Sequence, residues 1–414
     1  FGKPTMSEFI SQTPLTLRCG LTLPNRLVKA SMSENIHALQ SLPNAKIRNV
    51  YRHWAKGGWG MLITGNVQVD DRYLGTSTDL ALDSSLSDDA IIASWSAWAH
   101  ECSQDGTPAI MQLNHPGRQC PIGAGKHGVL EKNLAPSPIG LQMGPGLMAT
   151  AVSKLAFGVP REISEQEIEV IVEKFAHAAT LAAKSGFGGV EIHASHGYLL
   201  DQFLSSQTNH RSDNYGGDAV GRAKLTTDII LAVRKSLPAE CCVGVLVSGA
   251  EGEEDMSSVK DRLDQLDAMA NAGVDYIHVS GGTFEKPAMF LGAALGHDED
   301  KTGKMQPYFK SFSRIVKSRF PNVPVIVTGG FRNRASIETA LSSKESDMVG
   351  IARPAAVDPH LPEAIILNSA VDDQDATFHH PKVEAPWIMR QVGVTALNVH
   401  MDNVSIITQQ QSFS

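Results

Sequence analysis

The chain has 414 residues, of which 42% are hydrophobic and 19% charged, and its formal net charge is −8. This composition is typical of a soluble globular protein with one large domain or two ordinary ones. The acidic balance and the lack of a basic run argue against nucleic acid as a partner. No apolar stretch approaches the roughly 20 residues of a membrane span, so we expect no membrane contact.

The first five residues, Phe-Gly-Lys-Pro-Thr, precede Met6 and are predicted to be a non-native leader. The residues after Met6 have neither a positive region nor a long apolar run, so a secretory signal is not expected. The five cysteines are odd in number and match no metal-binding spacing. This pattern predicts reduced thiols, a cytoplasmic location and no metal ion.

Short apolar runs alternate with helical patterns along the chain. The predicted strands are Arg26–Ser31, Met61–Asn66, Ala109–Leu113, Val190–His193, Val243–Val247, Tyr276–Ser280, Val325–Thr328 and Met348–Ile351. The predicted helices are Ala45–Lys56, Ser87–Ser103, Ser164–Ser185, Ala219–Ser236, Ser258–Ala272, Met305–Arg319 and Ala335–Ser342, with another after Pro359. This alternation predicts an α/β protein with a single (β/α)8 barrel over residues 6–390 and a tail over 391–414.

Two regions interrupt the alternation. Pro116–Pro160 follows the third strand and is rich in glycine and proline without a sustained period. We predict a long loop excursion over the mouth of the barrel. Ser205–Gly217 is predicted to be a polar loop after the fourth strand, and Gly282–Gln306 is predicted to help the excursion shape a pocket.

The most informative stretch is Glu191-Ile192-His193-Ala194-Ser195-His196-Gly197-Tyr198-Leu199-Leu200. It places His193, His196 and Tyr198 at the carboxyl end of a strand, where barrel enzymes carry their chemistry. A phenol can protonate a carbanion, and imidazoles can hold an oxyanion. Two alternatives are a structural histidine pair and a zinc or iron site that includes His115 or His210. No carboxylate or cysteine stands at metal-like spacing beside the pair.

The last two strands carry a phosphate-binding signal. Strand seven ends in Thr328-Gly329-Gly330-Phe331-Arg332, and strand eight ends in Gly350-Ile351-Ala352-Arg353. In barrels these loops commonly bind a phosphate, because glycine exposes backbone N–H groups and arginine adds charged contacts. The alternative is a pair of ordinary turns with surface arginines. The G-x-G-x-x-G match at 123–128 has no strand before it and no helix after it, and is interpreted as a loop.

These motifs together resemble the Old Yellow Enzyme family of FMN-dependent NADH:flavin oxidoreductases and ene-reductases. The resemblance runs from Thr13 to about Arg390, and its strongest part is Glu191–Arg222. The paired histidines match the His-x-x-His branch of the family. Further matching segments are Asn25-Arg26-Leu27-Val28, Gln112-Leu113-Asn114-His115-Pro116-Gly117-Arg118 and Ala135-Pro136-Ser137.

The resemblance implies a role for each matching residue. His193 and His196 would bind the carbonyl oxygen of the substrate, and Tyr198 would be the proton donor. The flavin would be held by Ala30, Ser31, Met32, Ser33, Gly65, Asn66, Gln112, His193, Gly329, Gly330, Ala352 and Arg353. Gln112 would bind the pyrimidine part of its ring system, and the last four residues would bind its phosphate.

The implied activity is the transfer of hydride from NAD(P)H through FMN to the β-carbon of an α,β-unsaturated carbonyl compound, with Tyr198 protonating the α-carbon. The substrate and the choice between NADH and NADPH stay open. So does the oligomeric state, for which the family suggests a homodimer. An enzyme that isomerises, desaturates or cyclises its substrate without net reduction is the main alternative. A barrel that only binds ligands and a metal-dependent hydrolase are further ones.

Three positions depart from the family pattern. Ser33 stands where relatives commonly have Thr or Cys, and Ser31 replaces a frequent proline. Leu246 aligns with an Arg or Lys that stabilises the negative charge of the reduced flavin. We expect this change to lower the flavin potential, to weaken FMN binding or to accompany a non-reductive role.

Overall fold

A closed barrel of eight parallel strands forms the centre of the computed structural model, which describes residues 9–34, 41–144, 146–249, 256–281 and 310–378. The barrel strands are β1 (Leu27–Lys29), β2 (Met61–Gln68), β3 (Ala109–Asn114), β4 (Gly189–Ala194), β5 (Cys242–Ser248), β6 (Tyr276–Ser280), β7 (Val325–Thr328) and β8 (Met348–Ile351). Each strand pairs in parallel with its neighbours, and β8–β1 and β1–β2 pairings close the ring. The predicted (β/α)8 architecture is therefore confirmed.

A helix follows each barrel strand. These helices are α1 (Ala45–Ala55), α2 (Asp88–Cys102), α3 (Glu165–Lys184), α4 (Ala219–Ser236), α5 (Met256–Asn271), α6 (Lys310–Arg319), α7 (Arg334–Ser342) and α8 (Arg353–Val357). Ser164 and Glu167 form a capping box at the start of α3. The helix predicted after Pro359 is present as a π-helical turn, Pro362–Ile366.

The excursion after β3 contains more regular structure than the sequence pattern predicts. It includes a helix, Leu147–Phe157, and a short parallel pair of strands, Leu134–Ala135 and Arg161–Glu162. Leu147 and Leu155 of this helix are exposed. Because these apolar side chains face outward, the helix lacks the one-sided apolar pattern on which the prediction depended. The predicted polar loop at 205–217 is present as turns.

Two apolar layers hold the barrel. The larger lies between the outer faces of the strands and the helices, and the smaller fills the amino-terminal end of the barrel interior. A hairpin of Leu15–Thr16 and Thr22–Leu23 contributes Leu17 and Leu23 to the smaller layer. The amino-terminal end is therefore packed, and the opposite end carries the polar side chains described next. The predicted pocket segment Gly282–Gln306 and the predicted bounds at 1–5 and 391–414 lie outside the described residues.

Candidate functional site

The turn after β4 brings His193, His196 and Tyr198 together. His196 has a backbone φ of 61° and Gly197 one of 76°, so the chain reverses sharply in two residues. Two side chains hold this turn: the backbone N–H of His196 donates to Ser248 Oγ at 3.3 Å, and that of Gly197 donates to Asp201 at 2.7 Å. The predicted catalytic residues therefore form one cluster at the carboxyl end of the barrel.

The two histidines bond to each other. His193 Nε2 and His196 Nδ1 lie 2.8 Å apart, and the His193 and Tyr198 rings meet edge to face with centroids 4.9 Å apart. Burial lowers the pKa of His196 to about 4 and that of His193 well below its ordinary value. Both imidazoles are therefore neutral near neutral pH. Burial also raises the pKa of Tyr198 well above its ordinary value, so the phenol keeps its proton.

The side chain of Asn66 also reaches this cluster. Its Oδ1 lies 2.8 Å from His193 Nδ1. The sequence predicted Asn66 only as a residue near the flavin edge, and the bond to His193 was missed. It arises because the pairing of β2 with β3 shifts register between Ile63 and Asn66, and such irregularities redirect side chains.

A buried carboxylate lies one layer deeper in the barrel. Glu191 accepts hydrogen bonds from Gln112 Nε2 at 2.7 Å and from the Tyr276 hydroxyl at 3.0 Å. His278 Nδ1 lies 2.9 Å from it, and His278 Nε2 lies 2.7 Å from Thr328 Oγ1. No role for Glu191 or His278 was predicted, although a charged residue and a histidine inside apolar strands were the available signal.

The side-chain amide of Gln112 has hydrogen-bonding capacity left for a flavin ring. It lies within β3, where its Oε1 accepts from Ser31 Oγ at 2.6 Å and its Nε2 donates to Glu191. An amide oxygen has two lone pairs and an amide nitrogen has two N–H groups. Gln112 can therefore still donate and accept one bond each, which fits the alternating donors and acceptors of the flavin pyrimidine ring.

The predicted phosphate loops also fit a flavin. Gly329 and Gly330 follow β7 with φ angles of 121° and 82°, which L side chains rarely adopt. Ala352 and Arg353 follow β8, at the start of α8. These four residues would hold the phosphate, and FMN would supply hydride chemistry to the site when bound.

The loop after β1 is fixed by a residue that sequence reasoning missed. Ala30–Ser33 lies at the barrel mouth, and Glu34 follows it. Glu34 accepts from the Tyr51 hydroxyl and from the backbone N–H of Gly65. A side chain on Gly65 would collide with Glu34. The buried carboxylate therefore joins the ends of β1 and β2, the two segments predicted to line the flavin.

Leu246 lies in β5, next to the strand that carries His193. It points into the barrel from β5, is buried, and is paired in register with His193 on one side and His278 on the other. The side chain at this position carries no charge, and the nearest titratable neighbours in register are these two imidazoles.

The remaining motifs lie elsewhere. Residues 123–128 form turns, and Lys126 pairs there with Asp71 and Asp83. His115 accepts from the backbone N–H of Gly117, and burial lowers its pKa to about 4.

All five cysteines are free thiols. Within the described ranges, the group with metal-like proximity is Cys19, Cys242 and Asp275, at the amino-terminal end of β5 and away from the histidine pair.

The chain is similar in sequence to known proteins over most of its length. Residues 12–370 match the model of the NADH:flavin oxidoreductase / NADH oxidase family. The chain is 59% identical over 400 residues to the NADH-dependent flavin oxidoreductase iliE of Hypocrea jecorina, covering 97% of this chain and 100% of that protein. It is 46% identical to the NADH-dependent flavin oxidoreductase iccE of Talaromyces variabilis, covering 99% of each.

Solved structures show the same fold. Morphinone reductase superposes with a TM-score of 0.68 at 24% identity, over 87% of this chain and 90% of that one. The old yellow enzyme homologue from Zymomonas mobilis gives a TM-score of 0.68 at 22% identity, over 90% and 97%. None of the helices in the described ranges combines the length and apolar character needed to cross a membrane.

Proposed function

Because the chain belongs to the NADH:flavin oxidoreductase / NADH oxidase family, the Old Yellow Enzyme family, we propose that it reduces a carbon–carbon double bond conjugated to a carbonyl group. FMN is the cofactor and supplies the hydride when bound. The names of the similar fungal proteins favour NADH over NADPH as the reductant. The substrate is a small molecule that fits beside Tyr198 at the mouth of the barrel.

The placement of Tyr198 carries this proposal. The phenol is held against the histidine pair at the carboxyl end of β4, and burial keeps its pKa well above the ordinary value. A group that keeps its proton at neutral pH and lies beside the reacting centre is suited to act as a general acid. Tyr198 would therefore protonate the α-carbon after the β-carbon has received hydride.

A second candidate is a reaction without net reduction, such as isomerisation. Leu246 favours it, because a leucine inside the barrel gives no charge with which to stabilise an anionic reduced flavin. The neutral histidine pair is also compatible with proton transfer. In this candidate the same site would remove a proton at one carbon and return it at another.

The amount of NADH consumed for each product molecule distinguishes the two candidate reactions. The FMN-loaded protein is mixed with NADH without oxygen, the loss of oxidised-flavin absorbance is followed, and a panel of conjugated enones and enals is then added. The reductive proposal expects one NADH consumed for each double bond reduced. Product formed without NADH consumption would support the second candidate. Failure of NADH to bleach the flavin would contradict the reductive proposal.

A further inference from the structure

Cys19 and Cys242 form a pair of neighbouring thiols at the amino-terminal end of the barrel. Their Sγ atoms lie within 4.8 Å of each other and of a carboxylate oxygen of Asp275. Cys19 lies in the turn of the amino-terminal hairpin, and Cys242 is the first residue of β5. The two residues are far apart in the sequence, so the closed barrel, and not a local motif, brings them together.

The two thiols differ in their exposure to solvent. Cys19 is partly exposed, whereas Cys242 is completely buried in the smaller apolar layer. The Cys242 thiol lowers the pKa of Cys19 to about 7, and burial raises the pKa of Cys242 well above its ordinary value. A reagent from solvent therefore reaches Cys19 first and meets it there as the thiolate, which is the reactive form of a cysteine.

The carboxylate beside the two sulfurs already has partners. Asp275 Oδ2 accepts from the backbone N–H of Val243 at 2.8 Å and from the guanidinium of Arg234. A metal ion bound to Asp275 would stand close to this positive charge and be repelled by it. The cluster is therefore better suited to a reaction between its two sulfurs than to holding a cation.

The turn that carries Cys19 has room to move. The sulfur atoms of a disulfide lie about 2.05 Å apart, so the two thiols must approach each other before they can bond. The next residue, Gly20, is exposed, and a side chain built on it would meet no atom within 4 Å. Because Cys242 is fixed within a strand, the bond forms by movement of Cys19 towards β5.

We propose that Cys19 and Cys242 form a disulfide when the protein meets hydrogen peroxide. The Cys19 thiolate attacks one oxygen of the peroxide, the O–O bond breaks, and Cys19 becomes a sulfenic acid while hydroxide leaves. The Cys242 sulfur then displaces the sulfenic hydroxyl group, which leaves as water with the Cys242 proton. The two sulfurs lose two electrons in total, and the peroxide accepts them.

The disulfide fastens the amino-terminal hairpin to β5. This hairpin contributes Leu17 and Leu23 to the smaller apolar layer, and a cross-link between distant parts of a chain restricts the unfolded state. We therefore expect the oxidised protein to melt at a higher temperature than the reduced protein. The inference does not depend on the proposed function, because the pair lies at the opposite end of the barrel from Tyr198 and no step uses the flavin.

Peptide mapping identifies the bond. The FMN-loaded protein is treated with hydrogen peroxide in the presence of EDTA, free thiols are blocked, and a tryptic digest is analysed by mass spectrometry without reduction. Trypsin releases Cys19 in the peptide Cys19–Arg26 but leaves Cys241 and Cys242 together in Ser236–Lys260. The mapping is therefore repeated with Cys241→Ser. We expect the two peptides to be linked in both proteins and to separate with dithiothreitol.

Two further variants are the matched controls. In Cys242→Ser the sulfenic acid on Cys19 has no thiol with which to condense, so we expect it to persist and to be trapped by dimedone. In Cys19→Ser we expect neither linked peptides nor a rise in melting temperature on addition of peroxide. The FMN content and melting temperature of each reduced variant show whether it is folded.

Three results would overturn the inference. The first is that linked peptides persist in Cys242→Ser, which would assign the second sulfur to Cys241. The second is that the unaltered protein accumulates the sulfenic acid on Cys19 without linking its peptides. The third is that the linked protein melts at the same temperature as the reduced one, since the bond would then not fasten the hairpin.

Discussion

The phenol ring of Tyr276 lies in the space that a side chain at Gly244 would occupy. Gly244 is on β5 and Tyr276 is its partner in register on β6. This close approach lets the Tyr276 hydroxyl reach Glu191, which is buried completely. A glycine in the middle of a barrel strand therefore makes room for the donor that satisfies a buried carboxylate.

Gly244→Ala should destabilise the protein, because the new methyl group displaces the Tyr276 ring. Overpacking of this kind costs about 1–3 kcal/mol. Urea denaturation measures the change in the free energy of unfolding. Combining Gly244→Ala with Tyr276→Val, which vacates the space, should cost less than the sum of the two single changes. If the Gly244→Ala protein were as stable as the original, the Tyr276 ring would be able to move aside without lowering the free energy of unfolding.

Tyr198→Phe should slow product formation and leave the reduction of the flavin by NADH unchanged. The loss of a positioned general acid typically costs about 10²- to 10⁴-fold in rate. Rapid mixing measures the two half-reactions separately. The matched control is Tyr215→Phe, whose hydroxyl bonds Asp228 in α4, away from the site. Equal loss in both half-reactions would point to a disturbed flavin site instead of a missing acid.

Leu246→Lys should raise the reduction potential of bound flavin or tighten its binding. A cation beside the ring stabilises the negative charge of the reduced form, and charged hydrogen bonds are worth about 1.5–3 kcal/mol. The potential is measured against a reference dye, and affinity by titration of the FMN-free protein. Leu246→Met keeps the size and neutrality of the side chain and serves as the control. If neither the flavin potential nor the FMN affinity changes in the lysine variant, the missing cation at position 246 does not affect the flavin.

The barrel could be predicted because its strands are apolar runs with regular spacing. The bounds predicted for Tyr276–Ser280, Val325–Thr328 and Met348–Ile351 agree with the structure. The helix at Leu147–Phe157 was missed because its outward apolar residues hide the helical period. The local sequence pattern therefore predicts a helix or strand where the segment buries one consistent face. It does not predict the element where the segment buries no such face.

The candidate site could be predicted only in part, because some of its contacts join residues that are far apart in the sequence. The motif after β4 and the glycines after β7 are contiguous in sequence, so their grouping is visible in the chain. The bond from Asn66 to His193 depends on a register shift in β2, and that from His278 to Glu191 depends on which strands are neighbours. Contacts of this kind are set by the closed barrel, and the local sequence shows only that a polar residue stands within an apolar strand.

Cys19 should be the first thiol to react with iodoacetamide as the pH rises through 7. A hydrogen bond from Cys242 lowers its pKa to about 7, and the side chain is only partly buried. Reactivity follows the thiolate, so the rate at pH 8 should exceed that at pH 6. Mass spectrometry locates the modified residue. Cys102, fully buried with a raised pKa, should stay unmodified in the folded protein, and preferential labelling of it would contradict the expectation.

Glu167→Gln should reduce stability at neutral pH and lose its effect in acid. The hydrogen bond from Arg161 holds the pKa of Glu167 at about 2, against an ordinary value of 4.5. A lowered folded-state pKa stabilises the protein above pH 4.5, and the contribution disappears as the pH falls towards 2. Because the carboxylate is partly exposed, we expect a difference of at most roughly 1 kcal/mol.

Denaturation at several pH values between 6 and 3.5 measures this difference, which should be constant near pH 6 and fall below pH 4.5. Ser164→Ala removes the other half of the same capping box and should cost about 0.5–2 kcal/mol at neutral pH. Glu169→Gln changes a glutamate of α3 outside the box and is the matched control. A difference for Glu167→Gln that is the same at both ends of the pH range would mean that its ion pair with Arg161 does not contribute to folding.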